Sequence, residues 1–168
     1  MRRALVLCAC ALVAGCGGGD AAEPELDPAP AGVSREVRTM FRAYSEALSR
    51  GDFPAACTHL TEASIAQLAA QVDEVAPGAK DCPGLLGRLY GPAGSKARRE
   101  LDGLVRTLEV HGVDATARRD TVLLSWSAEV GGRRVAIKQP VLQVGGRWQL
   151  VAAPSAAGAG QPAASETP

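Results

Sequence analysis

The chain has few of the residues from which catalytic and metal sites are usually built. Its two histidines, His59 and His111, stand 52 positions apart, whereas metal ligands usually recur at short spacings. The sequence has no GxSxG, GxxxxGKS/T, HExxH or CxxC motif, which argues against the enzyme and redox classes that these motifs mark. We therefore predict no catalytic set, no metal site and no cofactor.

The chain also lacks a net charge and a long apolar run. Its 18 basic residues balance 18 acidic ones, so there is no electrostatic reason to expect nucleic acid as a partner. The uncharged apolar run at residues 4–14 has 11 residues, whereas a membrane-spanning helix needs about 20. We expect no transmembrane helix.

This short apolar run is nevertheless placed as in an export signal. Arg2 and Arg3 precede it, and it leads into the sequence LVAGC at residues 12–16, which resembles the lipobox of bacterial lipoproteins. The resemblance implies that residues 1–15 are a signal peptide and that Cys16 carries diacylglycerol and an acyl chain such as palmitate. We therefore expect a lipid anchor on the extracytoplasmic face of the cell membrane. An ordinary signal peptide with an incidental cysteine is the alternative.

The cysteine count follows from this interpretation. The chain contains five cysteines, Cys8, Cys10, Cys16, Cys57 and Cys82. The first two leave with the signal peptide and the third is consumed by the lipid. Cys57 and Cys82 remain as a pair in an oxidising compartment, which predicts a disulfide between them. A nucleophilic Cys57 assisted by His59 is the alternative, although residues two positions apart on a helix point to different sides.

Composition divides the exported chain into three parts. Residues 16–33 carry four acidic residues and no basic residue among Gly and Pro, which predicts a flexible tether. Residues 153–168 are almost entirely Ala, Pro, Gly and Ser and predict a disordered tail. Residues 34–152 are enough for one hydrophobic core and too few for two.

The first half of this domain has the apolar spacing of helices. Ser34, Asp52 and Thr61 are placed to cap three successive helices, and Gly51 is placed to end the first. A fourth helix is predicted for Cys82–Tyr90, and residues 95–104 are helical at least at their start. In that last segment two acidic residues lie close in sequence to three basic ones, which predicts that this face of the helix is solvated. The five are Lys96, Arg98, Arg99, Glu100 and Asp102.

The second half changes to the two-residue alternation of strands. Four strands are predicted at residues 108–117, 122–130, 133–144 and 147–152. Gly131-Gly132 and Gly145-Gly146 are hairpin signals between them, and Pro140 predicts a bulge or an edge because it cannot donate to a ladder. The result is an α+β fold, with N-terminal helices packed on a curved antiparallel sheet of about four strands.

Two segments carry a further resemblance. YSEALSRGDFPAAC at residues 44–57 and VGGRWQL at residues 144–150 resemble the nuclear transport factor 2-like superfamily, in particular its actinobacterial lipoproteins. The resemblance implies a cone-like sheet wrapped on helices, often with a pocket at the wide end. Because this superfamily contains both enzymes and binding proteins, it does not by itself give a function.

The candidate pocket residues are Tyr44, His111, Trp126 and Trp148, each with packing in the core as its alternative role. A ketosteroid-isomerase-type site would need an acidic partner for Tyr44 or Tyr90, and no pattern in the sequence supplies one. We therefore expect a non-enzymatic, anchored cell-envelope protein that binds a small apolar ligand or a protein partner at the cell surface. An isomerase or cyclase of the same fold, or an accessory subunit of a cell-envelope or transport complex, are the alternatives.

Overall fold

A computed structural model describes residues 26–75, 78 and 81–151. Over these residues helices precede a four-stranded antiparallel sheet with the strand order β1-β2-β3-β4, which does not close into a barrel. The elements are α1 Ala31–Arg50, α2 Phe53–Cys57, α3 Glu62–Val75, α4 Cys82–Tyr90, α5 Lys96–Thr107, β1 Glu109–Ala115, β2 Thr121–Val130, β3 Arg133–Val144 and β4 Arg147–Leu150. The predicted α+β architecture is confirmed. The export signal and the C-terminal tail predicted at residues 153–168 lie outside the described residues.

The hairpins form where the two Gly-Gly pairs predict them. Gly131 and Gly132 both have positive φ, as do Gly145 and Gly146. Two consecutive residues with positive φ make the tight turn whose twist matches that of the flanking strands, and glycine adopts this conformation without strain. The turns fix the register of β2 with β3 and of β3 with β4.

Pro140 lies where the short strand β4 stops covering β3. The β3–β4 pairing begins at Val141, opposite Leu150. Beyond it the Val151 N–H still donates to the Pro140 carbonyl at 3.0 Å. Pro140 has no N–H to return, and the Gln139 side chain instead donates to the Val151 carbonyl at 3.3 Å. Of the two alternatives predicted for Pro140, the edge is therefore observed, since the register with β2 shows no bulge there.

The first helix begins earlier than predicted, because the chain before it belongs to the fold. The Ala29 N–H donates to Val113 on β1 at 2.9 Å, and the Ala115 N–H donates to Asp27 at 2.7 Å. Pro30, and not Ser34, is the N-cap residue, while the Ser34 hydroxyl donates back to the Ala29 carbonyl. The prediction that the tether extends to residue 33 is therefore wrong: its last residues are held against the sheet.

The other predicted helix caps agree with the structure. The Asp52 carboxylate accepts the Ala55 N–H, the Thr61 hydroxyl accepts the Ser64 N–H, and Gly51 ends α1 in the left-handed conformation. A disulfide joins Cys57 to Cys82 with a Cα–Cα distance of 6.0 Å. It ties α2 to the start of α4.

The prediction of a fully solvated face on α5 is wrong for Arg98. Its side chain is buried, donates to the Ser49 carbonyl at the end of α1, and lies 5.7 Å from the centre of the Phe53 ring. Asp102, one turn later, is 3.6 Å away. The long arginine stem crosses close to Gly51, where an added Cβ would be 3.2 Å from the guanidinium. Arg98 thus joins α5 to the α1–α2 corner.

Candidate functional site

A cavity of about 870 Å³ lies between α1, the end of α4, α5 and the β2–β3 hairpin. Its apolar walls include Phe41, Leu48, Leu89, Leu101, Leu104, Val105, Leu108, Trp126, Val130 and Ile137. Such predominantly apolar, concave sites with few polar groups are typical of small-molecule pockets.

Aromatic contacts between α1 and β2 form the floor of the cavity. The Phe41 ring lies 5.4 Å from Trp126 and 6.5 Å from Tyr44, measured between ring centroids. The Trp126 indole N–H donates to the Gln139 side-chain oxygen at 3.1 Å. This hydrogen bond between β2 and β3 fixes the indole plane. The floor is therefore rigid and apolar.

Tyr44 and Tyr90 are the two tyrosines of the chain, and both line this cavity. Tyr90, the last residue of α4, stacks on Phe53 with the ring centroids 6.5 Å apart. Burial raises the pKa of both phenols, and the nearby Tyr90 raises the pKa of Tyr44 further. Both hydroxyls therefore stay protonated at neutral pH and can donate hydrogen bonds.

The remaining uncharged polar side chains in the walls are already hydrogen-bonded. The Ser45 hydroxyl donates to the Phe41 carbonyl at 2.8 Å. The Thr107 hydroxyl donates to Gly103 and accepts the Glu129 N–H at 2.9 Å. Gln139 uses both ends of its amide, on Trp126 and Val151. Among the described residues, neither tyrosine hydroxyl has such a partner, and no buried side-chain oxygen or nitrogen lacks one. The two hydroxyls are therefore open to the cavity.

Charged side chains lie at the rim of the cavity. Glu100, Arg106 and Glu129 line it, and all three are exposed. Leu89 and Val130, which are among the few large apolar residues that the described structure leaves exposed, lie at the same rim. The interior is thus neutral and the entrance mixes apolar and charged groups.

A second, smaller cavity of about 440 Å³ lies at the other end of the sheet, beside Trp148. The buried Trp148 indole donates to the Glu36 carboxylate at 3.0 Å. His59 lines this cavity, and burial lowers the pKa of its imidazole. Arg35 and Arg147 stand exposed at its edge. The indole N–H in this cavity is therefore already bound to a protein group.

His111 does not belong to either cavity. The register of β1 with β2 shifts between Val110 and Gly112, and His111 is exposed beside this irregularity. Its Nε2 lies 2.8 Å from the Ser127 hydroxyl, which also accepts a hydrogen bond from Arg134 at 3.0 Å. The expectation that His111 lines a pocket is therefore wrong, because Ser127 is on the face of β2 opposite the core.

The other sequence candidates divide between the two cavities. Tyr44 and Trp126 line the large one and Trp148 lines the small one, while both tryptophans are also buried in the core. Sequence reasoning missed Tyr90 as a wall residue. The available signal was its position one helical turn after the buried Leu86, at the end of an apolar helix.

Two further findings concern the described residues only. They contain no group of three or more His, Cys, Asp or Glu side chains arranged to hold a metal ion. None of their helices has the length and apolar character needed to cross a bilayer.

No protein-family model, curated protein or solved structure matches the chain.

Proposed function

We propose that this chain is an exported, lipid-anchored protein that holds a small apolar ligand in the cavity between α1, α5 and the β2–β3 hairpin. The observation that carries the proposal is the cavity itself: about 870 Å³, with a floor of Phe41 and Trp126. Pockets of roughly 300–1,000 Å³ bury most of the surface of a drug-sized molecule. Removing that much apolar surface from water is the main source of affinity.

The wall chemistry favours binding over isomerase or cyclase catalysis. An enzyme of that type needs a general base inside the apolar pocket, next to its hydrogen-bond donors. In the described walls both carboxylates, Glu100 and Glu129, are exposed at the rim, and no histidine is present. The tyrosines can orient a ligand, but they stay protonated at neutral pH because burial raises their pKa values, and they therefore cannot accept a proton from it.

The proposed location at the membrane rests on the LVAGC sequence at residues 12–16. If Cys16 is the lipid-modified N-terminus, 11 residues run from it to Leu26, before the part of the chain held by β1. A chain of this length spans at most about 40 Å. The ligand would therefore be bound and released close to the bilayer surface.

Binding is tested with 1-N-phenylnaphthylamine, a neutral dye that fluoresces in apolar surroundings. The protein is produced as residues 17–168, which keep every described residue and omit the lipid, whose micelle would itself take up the dye. Wild-type protein is expected to give a saturable rise in fluorescence. Gly103→Phe should abolish it, because Gly103 lines the cavity and a Cβ there meets no atom within 4 Å.

Two controls separate occlusion of the cavity from damage to the fold. Gly103→Ala adds a side chain too small to fill the cavity and should bind the dye. Gly32→Phe places the same aromatic ring on an exposed position of α1 with open space around it, and should also bind the dye. Equal dye binding by wild type and a folded Gly103→Phe variant would contradict the proposal.

The anchor is tested separately in the full-length chain. Cells fed a radiolabelled palmitate precursor are expected to label the wild type and not Cys16→Ala, and only the wild type should partition with the membrane fraction. Equal labelling of the two chains would contradict lipidation at Cys16 and leave the cavity proposal standing.

A further inference from the structure

The cavity contains a specific hydrogen-bonding feature in addition to its apolar walls. Tyr44 on α1 and Tyr90 at the end of α4 line the same space. Their hydroxyls are unused by the described protein, whereas Ser45, Thr107 and Gln139 are all satisfied internally. In a wall where the other uncharged polar groups are paired, these two hydroxyls are the donors that remain available to a ligand.

Both rings are held in place before any ligand arrives. Tyr44 stacks on Phe41 and Tyr90 stacks on Phe53, each with an interplanar angle of 25°. Phe53 is itself fixed between the Arg98 guanidinium and the backbone of α4 at Gly87. Donors that are already oriented lose little conformational entropy when a ligand binds, so their hydrogen bonds contribute more fully to affinity.

The charges around the site decide what kind of acceptor fits. No cationic side chain lies inside the described cavity, and its rim carries two carboxylates, Glu100 and Glu129, against one guanidinium, Arg106. A buried carboxylate with no cation to pair it is strongly unfavourable. A neutral carbonyl oxygen has two lone pairs, can accept one hydrogen bond from each phenol, and costs much less to bury.

We propose that the ligand is a neutral apolar molecule with a carbonyl oxygen, such as a long-chain ketone or ester, which accepts hydrogen bonds from Tyr44 and Tyr90. This inference rests on the proposed function, since it assigns the ligand class of the same cavity. The inference predicts that the cavity prefers neutral carbonyl compounds to fatty carboxylates and to plain hydrocarbons. The apolar walls by themselves would accept all three classes.

The test is displacement of bound 1-N-phenylnaphthylamine by four competitors of matched chain length: 2-dodecanone, methyl undecanoate, dodecane and dodecanoate. We expect the ketone and the ester to compete about 3- to 10-fold better than dodecane for each hydrogen bond that forms, in line with the net value of a neutral hydrogen bond. Dodecanoate should be the weakest competitor. The ketone and the ester are tested separately because both contain the carbonyl group that the inference requires.

Substitution of the two tyrosines supplies the decisive arm. Tyr44→Phe and Tyr90→Phe should each lower the preference for 2-dodecanone over dodecane about 3- to 10-fold, and the double variant should abolish it while still binding the dye. Ser45→Ala is the matched control, because the Ser45 hydroxyl lines the same cavity but is bound to Phe41. It should leave the preference unchanged.

The outcomes distinguish this inference from the function on which it rests. If the dye does not bind wild type, both fail. If the dye binds but dodecanoate competes as well as 2-dodecanone, or the double tyrosine variant keeps the wild-type preference, the carbonyl assignment is overturned and the binding function stands. A lowered preference in Ser45→Ala equal to that in Tyr44→Phe would also overturn it.

Discussion

The two ends of the sheet differ in how completely the helices cover it. At the end near residue 29, the inward residues Val122, Leu124, Val141 and Leu150 are almost inaccessible to solvent. At the hairpin end, Trp126 and Ile137 face the large cavity instead. The same strands supply both ends, so the difference comes from what lies over them. Close packing of these four residues stabilises the fold, whereas the space beside Trp126 and Ile137 leaves room for a ligand.

The end of the sheet near residue 29, called the closed end below, is built from long-range contacts. The segment containing Ala29 pairs with β1, and β4 pairs with the second half of β3. The hairpin end, called the open end below, has no added strand in the described structure. There α5 is joined to β2 by the hydrogen bond from the Glu129 N–H to Thr107 and by apolar contacts, and Arg98 joins α5 to the α1–α2 corner. Substitutions at the closed end should therefore change stability, and those at the open end should change binding.

The largest expected effect is from Leu124→Ala at the closed end. Leu124 is fully buried, and truncating such a residue leaves a void, which should lower the free energy of unfolding by about 3–5 kcal/mol. Ile137→Ala, on the next strand and in the cavity wall, should cost no more than about half as much, because its side chain is already partly accessible. Chemical denaturation measures both, and equal losses would contradict the contrast between the two ends.

Removal of the disulfide should have the next largest effect. The Cys57–Cys82 bond closes a loop with a sequence separation of 25, and in the chain-entropy model a loop of this size stabilises the fold by about 3 kcal/mol. The double variant Cys57→Ala/Cys82→Ala should lose about this much in urea unfolding. If the reduced wild type and the oxidised wild type unfold at the same urea concentration, the bond contributes nothing.

Gly103→Ala should increase stability by about 0.5–1 kcal/mol. The glycine lies inside α5, where alanine is the better helix former, and its added methyl group meets open space. Thermal denaturation of the two proteins under the same conditions measures the gain. A loss of stability would show that the cavity wall is more tightly packed at this position than the structure indicates.

Ionisation of Tyr44 and Tyr90, at the open end, should lower the stability of the fold at alkaline pH. Phenols ionise near pH 10 in the unfolded chain, whereas burial raises the pKa of Tyr44 and Tyr90 in the folded one. The folded state therefore holds more protons above pH 10, and stability falls as the pH rises through that region. Ultraviolet titration of the phenolate should show ionisation at higher pH in native than in urea-unfolded protein. Identical curves would contradict burial of the two rings.

The loss of stability at acid pH should be smaller, and it should come from His59 at the closed end. Burial lowers the pKa of His59, so the unfolded chain takes up a proton first as the pH falls below about 6.5. Stability should decrease slightly over this range, and His59→Gln should reduce the decrease. An unchanged slope in His59→Gln would contradict burial of this imidazole.

Local signals predicted the ends of the helices and strands better than the packing between them. The Gly-Gly pairs at residues 131–132 and 145–146 determined the hairpins, and Asp52 and Thr61 capped the helices as expected, because each acts on its immediate neighbours. The start of α1 was misplaced because Pro30 becomes a cap only when Ala29 pairs with a strand more than 80 residues later.

The site was predicted only in part, for the same reason. Tyr44 and Trp126 were candidates because each lies on an apolar stripe, but the cavity is formed jointly by α1, α4, α5 and the β2–β3 hairpin, and no local pattern encodes their arrangement. His111 was misassigned because the register shift next to it changes the expected alternation of faces. The burial of Arg98 depends on the α1–α2 corner and could not be read from α5 alone.

The most direct test of the account is to identify what the cavity carries. Wild-type chain and Gly103→Phe are purified in parallel from a bacterial membrane fraction, extracted with organic solvent, and the extracts compared by mass spectrometry. The account predicts a neutral, carbonyl-containing apolar compound, in near-equimolar amount, with wild type and not with Gly103→Phe. Identical extracts from the two proteins, both correctly folded, would contradict it.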